Sequence, residues 1–210
     1  MALLEGTLQY FIQHQGEFWL ALRQHLTLSF TSLAISVLLF IPLGIWIARR
    51  ATAAQVVINF FNGLRVLPSL AILFLALPFL GLGFFPSLVA LTVLAIPPVL
   101  VNTYAGLRGV EPAVVEAAVG MGMTPRQVLW QVELPMAGPV IIAGIRLAAV
   151  EVIASATLAA FIGGGGLGDF ITRGFALYDS SIMLVGAVPV ALLALGVEIV
   201  LSAWQRSLKV

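Results

Sequence analysis

Four long stretches of this chain contain no Asp, Glu, Lys or Arg, and they decide what it can fold into. They run for 25 residues between Arg23 and Arg49, 42 between Arg65 and Arg108, 17 between Glu151 and Asp169, and 18 between Asp179 and Glu198. A helix needs about 20 mostly apolar residues to cross a hydrocarbon core. The longest stretch therefore holds two helices, with Gly81-Leu82-Gly83 as the turn between them. The pattern predicts an all-α membrane protein with five spans, near 19–48, 56–80, 85–107, 136–161 and 181–204. Composition agrees, with 61% hydrophobic and only 9% charged residues in 210. A soluble domain is about 45–50% apolar and about 25% charged. A soluble enzyme, a disordered chain and (at a formal net charge of +1) a basic nucleic-acid binder are excluded.

The second span is the awkward one. Begun at Arg65 it would be only about 22 Å long, whereas begun near Val56 it draws Asn59, Asn62 and Arg65 toward the membrane. Pro68 and Pro78 should bend it, and Pro97-Pro98 the third span. Breaks of this kind inside lipid need neighbouring helices or a polar cavity, so a multi-helix bundle is expected.

Basic residues set the orientation. With the N-terminus outside, the cytoplasmic segments hold Arg49, Arg50, Arg65, Arg108, Arg126, Arg206 and Lys209, while the outer ones hold Arg23 and Arg173. The C-terminus is then cytoplasmic. Residues 1–17 carry Glu5 and Glu17 and no Lys or Arg, which does not fit the basic opening of a cleavable signal peptide. Residues 1–18 are expected to form an interfacial segment on the outer surface, and 19–207 one transmembrane domain. No thiolate site is possible without Cys, and His14 and His25 lie 11 apart with no partner at ligand spacing, so no metal site is expected.

The one long polar loop on the inner side is 108–135, RGVEPAVVEAAVGMGMTPRQVLWQVELP. Pro112 suits a first helical turn, and the helix should end at Gly120 and Gly122. Thr124 and Gln127 form a capping box for a second short helix, which Leu134-Pro135 should stop. The loop also carries Val114, Val115, Met121, Met123, Leu129 and Trp130, more apolar surface than a solvated connector needs.

These residues carry a family resemblance. Glu116-Ala117-Ala118, then Gly120, then Leu134-Pro135, resembles the EAA loop of binding-protein-dependent ABC transporter permeases. Arg65-Val66-Leu67-Pro68 looks like the Arg-x-x-Pro opening of a core helix in these proteins. Gly144–Ala148, Ala156–Ile162 and the run Gly163–Gly168 resemble the osmoprotectant subgroup, which imports glycine betaine, choline or carnitine. Methionine-type permeases share a similar glycine run and remain the alternative. The resemblance implies five helices of the type I importer permease kind in a bacterial inner membrane. It implies a coupling surface at Val115, Glu116, Ala117, Val119, Gly120, Met121 and Met123, docked on a cytoplasmic ATPase dimer. An extracytoplasmic binding protein and a second permease subunit, identical or related, complete the assembly so implied. This chain would bind no cofactor, ATP and Mg belonging to the ATPase.

Other residues keep two readings. Gly163, Gly164, Gly165 and Gly166 are an outer hinge or a helix stop, and the literal G-x-G-x-x-G they open lacks the strand a dinucleotide site needs. Arg146 and Glu151 are ionisable groups inside a span and must face protein or water. Five residues apart, they point about 140° from one another and should not pair. Arg65, Arg146, Glu151 and Ser155 are candidates for a substrate pathway, with snorkelling of Arg146 and structural bonding of Glu151 as alternatives. Small-residue pairs such as Gly144/Ala148 and Ser155/Ala159 suit either a second subunit or packing within one bundle. A self-sufficient channel or secondary transporter would call for an internal repeat and paired ion ligands, which the sequence lacks. Intramembrane hydrolase motifs are absent as well.

Overall fold

The computed structural model describes residues 2–208, among which every regular element is helical; Lys209, counted above among the inner basic residues, lies outside them. A short helix α1 (Ala2–Gln13) precedes α2 (Gln15–Ala48), α3 (Ala51–Leu64), α4 (Ser69–Leu80) and α5 (Phe84–Arg108). The 108–135 loop forms α6 (Pro112–Gly120) and α7 (Pro125–Val128). A π turn (Leu129–Glu133) then leads into α8 (Leu134–Ser155), which tightens to a 3-10 segment over Ala156–Ile162. Helices α9 (Gly168–Ala176) and α10 (Ser180–Ser207) complete the chain.

The core lies where α5 is held between α2 and α8. Leu28 of α2, Leu91, Ala95 and Val99 of α5, and Ala148 and Val152 of α8 are buried together, with Leu73 of α4 against them. Glycines set the spacing. A Cβ on Gly44 would stand 2.8 Å from Thr103, and one on Gly144 would stand 2.6 Å from the Pro98 carbonyl. Gly144, Ala148, Ser155, Ala156 and Ala159 are all buried inside this chain, so the small-residue pairs serve packing within the bundle. A second cluster, Phe18, Ala21, Ile153, Leu167, Phe170 and Val185, ties α2 and α8 to α9 and α10 at the other end. Helix α1 lies against the start of α10, where Gly6 approaches Ser181.

Three readings of the sequence are corrected. The span expected at 56–80 is not one bent helix. It is two, α3 and α4, with axes 96° apart. The amides of Arg65, Val66 and Leu67 bond to the carbonyls three residues back, at 3.1–3.2 Å, and Pro68 has no amide to continue the ladder. Four other helical runs are long and apolar enough to cross a membrane, and the bent pair would be a fifth.

Secondly, Arg65 does not lie at the Arg49 end of the bundle, where the other basic connections were expected. Phe61 meets Phe40 edge-on at 5.6 Å, and Phe40 lies nine residues, about 13 Å of helix, inside the Arg49 end of α2. The break after Leu64 therefore lies partway along α2, away from its Arg49 end.

Thirdly, Leu134-Pro135 does not stop the second loop helix. The Leu134 amide reaches back five residues to the Leu129 carbonyl, and the widened turn admits Pro135 in the first turn of α8. Chain from Pro125 to Ile162 is consequently one helical run. Pro78, Pro97 and Pro98 are likewise accommodated within continuous helices.

The glycine run after Ile162 is a close-packed crossing. A Cβ on Gly164 would stand 2.2 Å from Ser87 Oγ, and one on Gly168 would stand 2.0 Å from the Thr157 carbonyl oxygen. Since a backbone atom cannot rotate away, Gly168→Ala should lower stability by about 3 kcal/mol. Gly16→Ala, with open space around it, should leave stability unchanged, and thermal unfolding of both variants in one detergent checks the contrast.

Candidate functional site

The 108–135 loop folds as a capped knob. Pro112 opens α6, and the helix closes with Met123 N–H on the Ala118 carbonyl at 3.2 Å and Gly122 N–H on Val119 at 2.9 Å. This is a Schellman ending, whose left-handed residue is Gly122 at φ +85°. The helix thus ends over Gly120 and Gly122, as expected, with Gly120 its last helical residue. The surface at Gly120 is bare, with nothing within 4 Å of where a Cβ would be. The capping box forms as expected: Thr124 N–H donates to Gln127 Oε1 at 2.8 Å, and Gln127 N–H to Thr124 Oγ1 at 3.4 Å.

The residues of the EAA pattern divide by face. Ala118 is buried at the root of the knob, while Val115 and Met123 are half-buried beside it. Glu116, Ala117, Val119, Gly120 and Met121 are exposed. Val119 and Met121, at 56% and 77% exposure, form an apolar tip next to a free carboxylate. At the base, Glu133 is buried and forms an ion pair with Arg49 at the end of α2. Sequence reasoning passed over this pair. Its signal was a lone acid between apolar Val132 and Leu134, which burial obliges to find a cation.

Of the pathway candidates, Arg146 pairs across the bundle with Glu198 of α10, Nη1 to Oε1 at 3.4 Å. It therefore needs no snorkelling, and the expectation that it does not pair with Glu151 holds. Glu151 is half-buried on α8 and makes no ion pair among the described residues. Arg65 is exposed at the break between α3 and α4. Ser155 is buried one turn further along α8. Of the four candidates, only Arg146 has an ion-pair partner among the described residues, and none of the four is joined to another by a hydrogen bond or ion pair.

At the opposite end from the knob, Gln24 Oε1 accepts from the Gly166 amide at 3.2 Å. Arg173 on α9 bonds Glu17 at 2.8 Å and the Tyr10 hydroxyl at 3.2 Å, tying α9 to α1 and α2. Burial pushes the Asp169 carboxyl above its ordinary value, opposed by the Arg173 guanidinium beside it. No cluster of three or more metal-ligating side chains occurs among the described residues.

Long apolar helices around a close-packed centre define a multi-pass membrane protein. Residues 40–210 match the family of binding-protein-dependent transport system inner membrane components, and the chain belongs to it. It is an inner-membrane permease, as the loop pattern implied. It is 43% identical over 200 residues to the choline transport system permease protein OpuBB of Bacillus subtilis, covering 95% of this chain and 92% of that one. It is 46% identical over 185 residues to the carnitine transport permease protein OpuCB of Listeria monocytogenes, covering 88% and 85%. The osmoprotectant import permease protein OsmY of Salmonella typhimurium is 42% identical, over 89% of this chain and 80% of that one. In fold, the chain resembles a subunit of the inward-facing MetNI methionine ABC transporter, with a TM-score of 0.83 at 20% identity over 94% and 99% of the two chains. An amino acid ABC transporter crystallised with histidines gives a TM-score of 0.76 at 22% identity, over 95% and 97%.

The Arg146–Glu198 pair yields a direct test. Removing one partner leaves a charge at membrane depth, so Glu198→Leu or Arg146→Met alone should lower stability by roughly 2 kcal/mol. The double variant should recover most of that loss, as measured by thermal unfolding in nanodiscs.

Proposed function

We propose that this chain is one half of the membrane pathway of an ATP-driven importer for quaternary-ammonium osmoprotectants such as choline, carnitine or glycine betaine. The knob at 108–135 faces the cytoplasm and seats Val115, Glu116, Ala117, Val119, Gly120, Met121 and Met123 in a groove of an ATPase dimer. The observation that carries this is the exposed Val119–Met121 tip beside Glu116, on a loop whose two short helices are each closed by their own hydrogen bonds. A tip left apolar in water calls for a partner. Glu116 offers a carboxylate that an Arg or a helix N-terminus can meet. The bare helical surface at Gly120 permits close approach.

The substrate assignment is supported by the named transport roles of relatives that match most of both chains. A five-span topology with the N-terminus outside is supported by charge. Arg49 and Arg108 line one cleft with Glu133 at the root of the knob, and Leu208 lies by Gly138 at the same end. Arg173 and Glu17 mark the other end. With Arg65 removed from the inner count, Arg49, Arg50, Arg108, Arg126 and Arg206 still outnumber Arg23 and Arg173.

Irregular backbone at membrane depth is tolerated only in protein or beside water, so the Arg65–Pro68 break lines the pathway with Glu151. Glu151 supplies negative charge for a cationic solute, and Arg65 balances it while the pathway is empty. A binding protein delivers the solute to the outer face, and ATP and Mg are held by the ATPase. A second permease, identical or related, completes the pathway. Each knob carries closure of the ATPases to its bundle, switching access between the two sides.

The test is uptake of labelled choline, carnitine, glycine betaine and methionine by the assembled system, wild type against Glu116→Lys and Gly120→Leu. Both variants should reach the membrane in normal amounts, hydrolyse ATP, and lose roughly tenfold or more in uptake. Normal uptake in both would refute the coupling role, and uptake of methionine alone would refute the substrate class.

A further inference from the structure

We infer that the Arg49–Glu133 ion pair is the strut that carries movement of the inner knob to the first long helix, making both residues positioning residues for transport. The inference rests on the coupling role just proposed for the knob.

Three observations converge on the pair. The first is the π turn at Leu129–Glu133, placed between the knob and the long helix α8. Such turns insert one residue into a helix and recur at functional sites. The inserted residue rotates the downstream helix by about 100° around the axis. The turn lets Trp130 stay exposed while Glu133, three residues on, is turned inward.

Burial and charge are the second. The Glu133 side chain is 10% exposed and that of Arg49 is 50% exposed. A buried carboxylate cannot give up its cation without being left uncompensated. Arg49 caps the C-terminal end of α2, where the helix dipole favours a positive charge. The end of α2 thus supplies the cation that pairs with Glu133, which lies within the run from Pro125 to Ile162.

The surroundings of the pair are the third. Ile41, Ile45 and Ala48 of α2 pack with Leu129 and Leu134 in one apolar cluster. Apolar contact has no direction, so the two surfaces can slide over each other with little penalty. The ion pair does have direction and fixes which position they hold. Beside it opens a cleft of about 340 Å³, with Tyr104 and Arg108 on its far wall. The helix ends have room to shift there while the pair stays closed. A push on Glu116–Met121 then passes through α7 and the π turn to Arg49, moving the inner end of α2 with the knob.

The experiment uses the complete transporter in proteoliposomes, comparing Glu133→Gln, Arg49→Gln and the exchanged Arg49→Glu/Glu133→Arg pair. Solute moved per ATP hydrolysed and co-purification of the ATPase are both measured. The single variants should keep the ATPase bound and hydrolysing while solute moved per ATP falls roughly tenfold. The exchanged pair should regain a substantial part of it. A wild-type ratio of solute to ATP in Glu133→Gln would overturn the inference. Loss of uptake in step with loss of the bound ATPase would overturn it too, because the pair would then only anchor the fold. No ATP-driven uptake by the wild-type complex, or none lost in Glu116→Lys, would instead overturn the coupling role, and this inference with it.

Discussion

A bilayer core offers no water to a backbone amide or carbonyl, and each group left unpaired there costs several kcal/mol. The architecture follows from that single rule. Helices satisfy their own backbone, so nearly all the apolar chain is helical, including the stretches around Pro42, Pro78, Pro97, Pro98, Pro139 and Pro189. Irregular backbone survives in two places among the described residues of the bundle. At the glycine run after Ile162 it is roofed by Gln24, His25 and Ser87. At the Arg65–Pro68 break it is exposed in the single chain. Exposed backbone of this kind is tolerated only against another protein surface or water.

Charge follows the same logic one level up. Every ion pair among the described residues joins two elements: Glu17 to Arg173, Arg49 to Glu133 and Arg146 to Glu198. Each sits at a boundary between helices that apolar contacts alone would leave free to slide. Glu151 and Asp169 depart from this pattern, each half-buried without an ion pair among the described residues. The knob departs in the opposite sense, presenting apolar side chains to water on a frame that is otherwise fully bonded.

Much of this was legible in the residues. Charge-free runs located the long helices, because length and polarity alone decide what can cross a membrane. The capping box at Thr124 and Gln127 was readable because it is local, involving residues three apart. Non-local pairings were not. That Arg146 meets Glu198, or Arg49 meets Glu133, depends on how α2, α8 and α10 pack, and no spacing in the chain encodes it. The break at Arg65 was half visible. Pro68 predicted a bend, but the right angle between α3 and α4 arises from three successive tightened hydrogen bonds before it. The π turn ran against a sound local rule: the residue before a proline usually leaves the helix, yet Leu134 keeps helical angles because the widened turn accommodates the ring. The end of α6 was legible for the same local reason as the capping box, with Gly120 closing the helix and Gly122 taking the left-handed angle.

The central claim is that the Val119–Met121 tip faces the cytoplasm and is covered by an ATPase. The chain has no cysteine, so Met121→Cys provides one unambiguous label site at the most exposed residue of the tip. A membrane-impermeant maleimide should react with it in inverted inner-membrane vesicles and not in intact cells, and a bound ATPase should block the reaction. Labelling from outside intact cells, or a rate indifferent to the ATPase, would contradict the account.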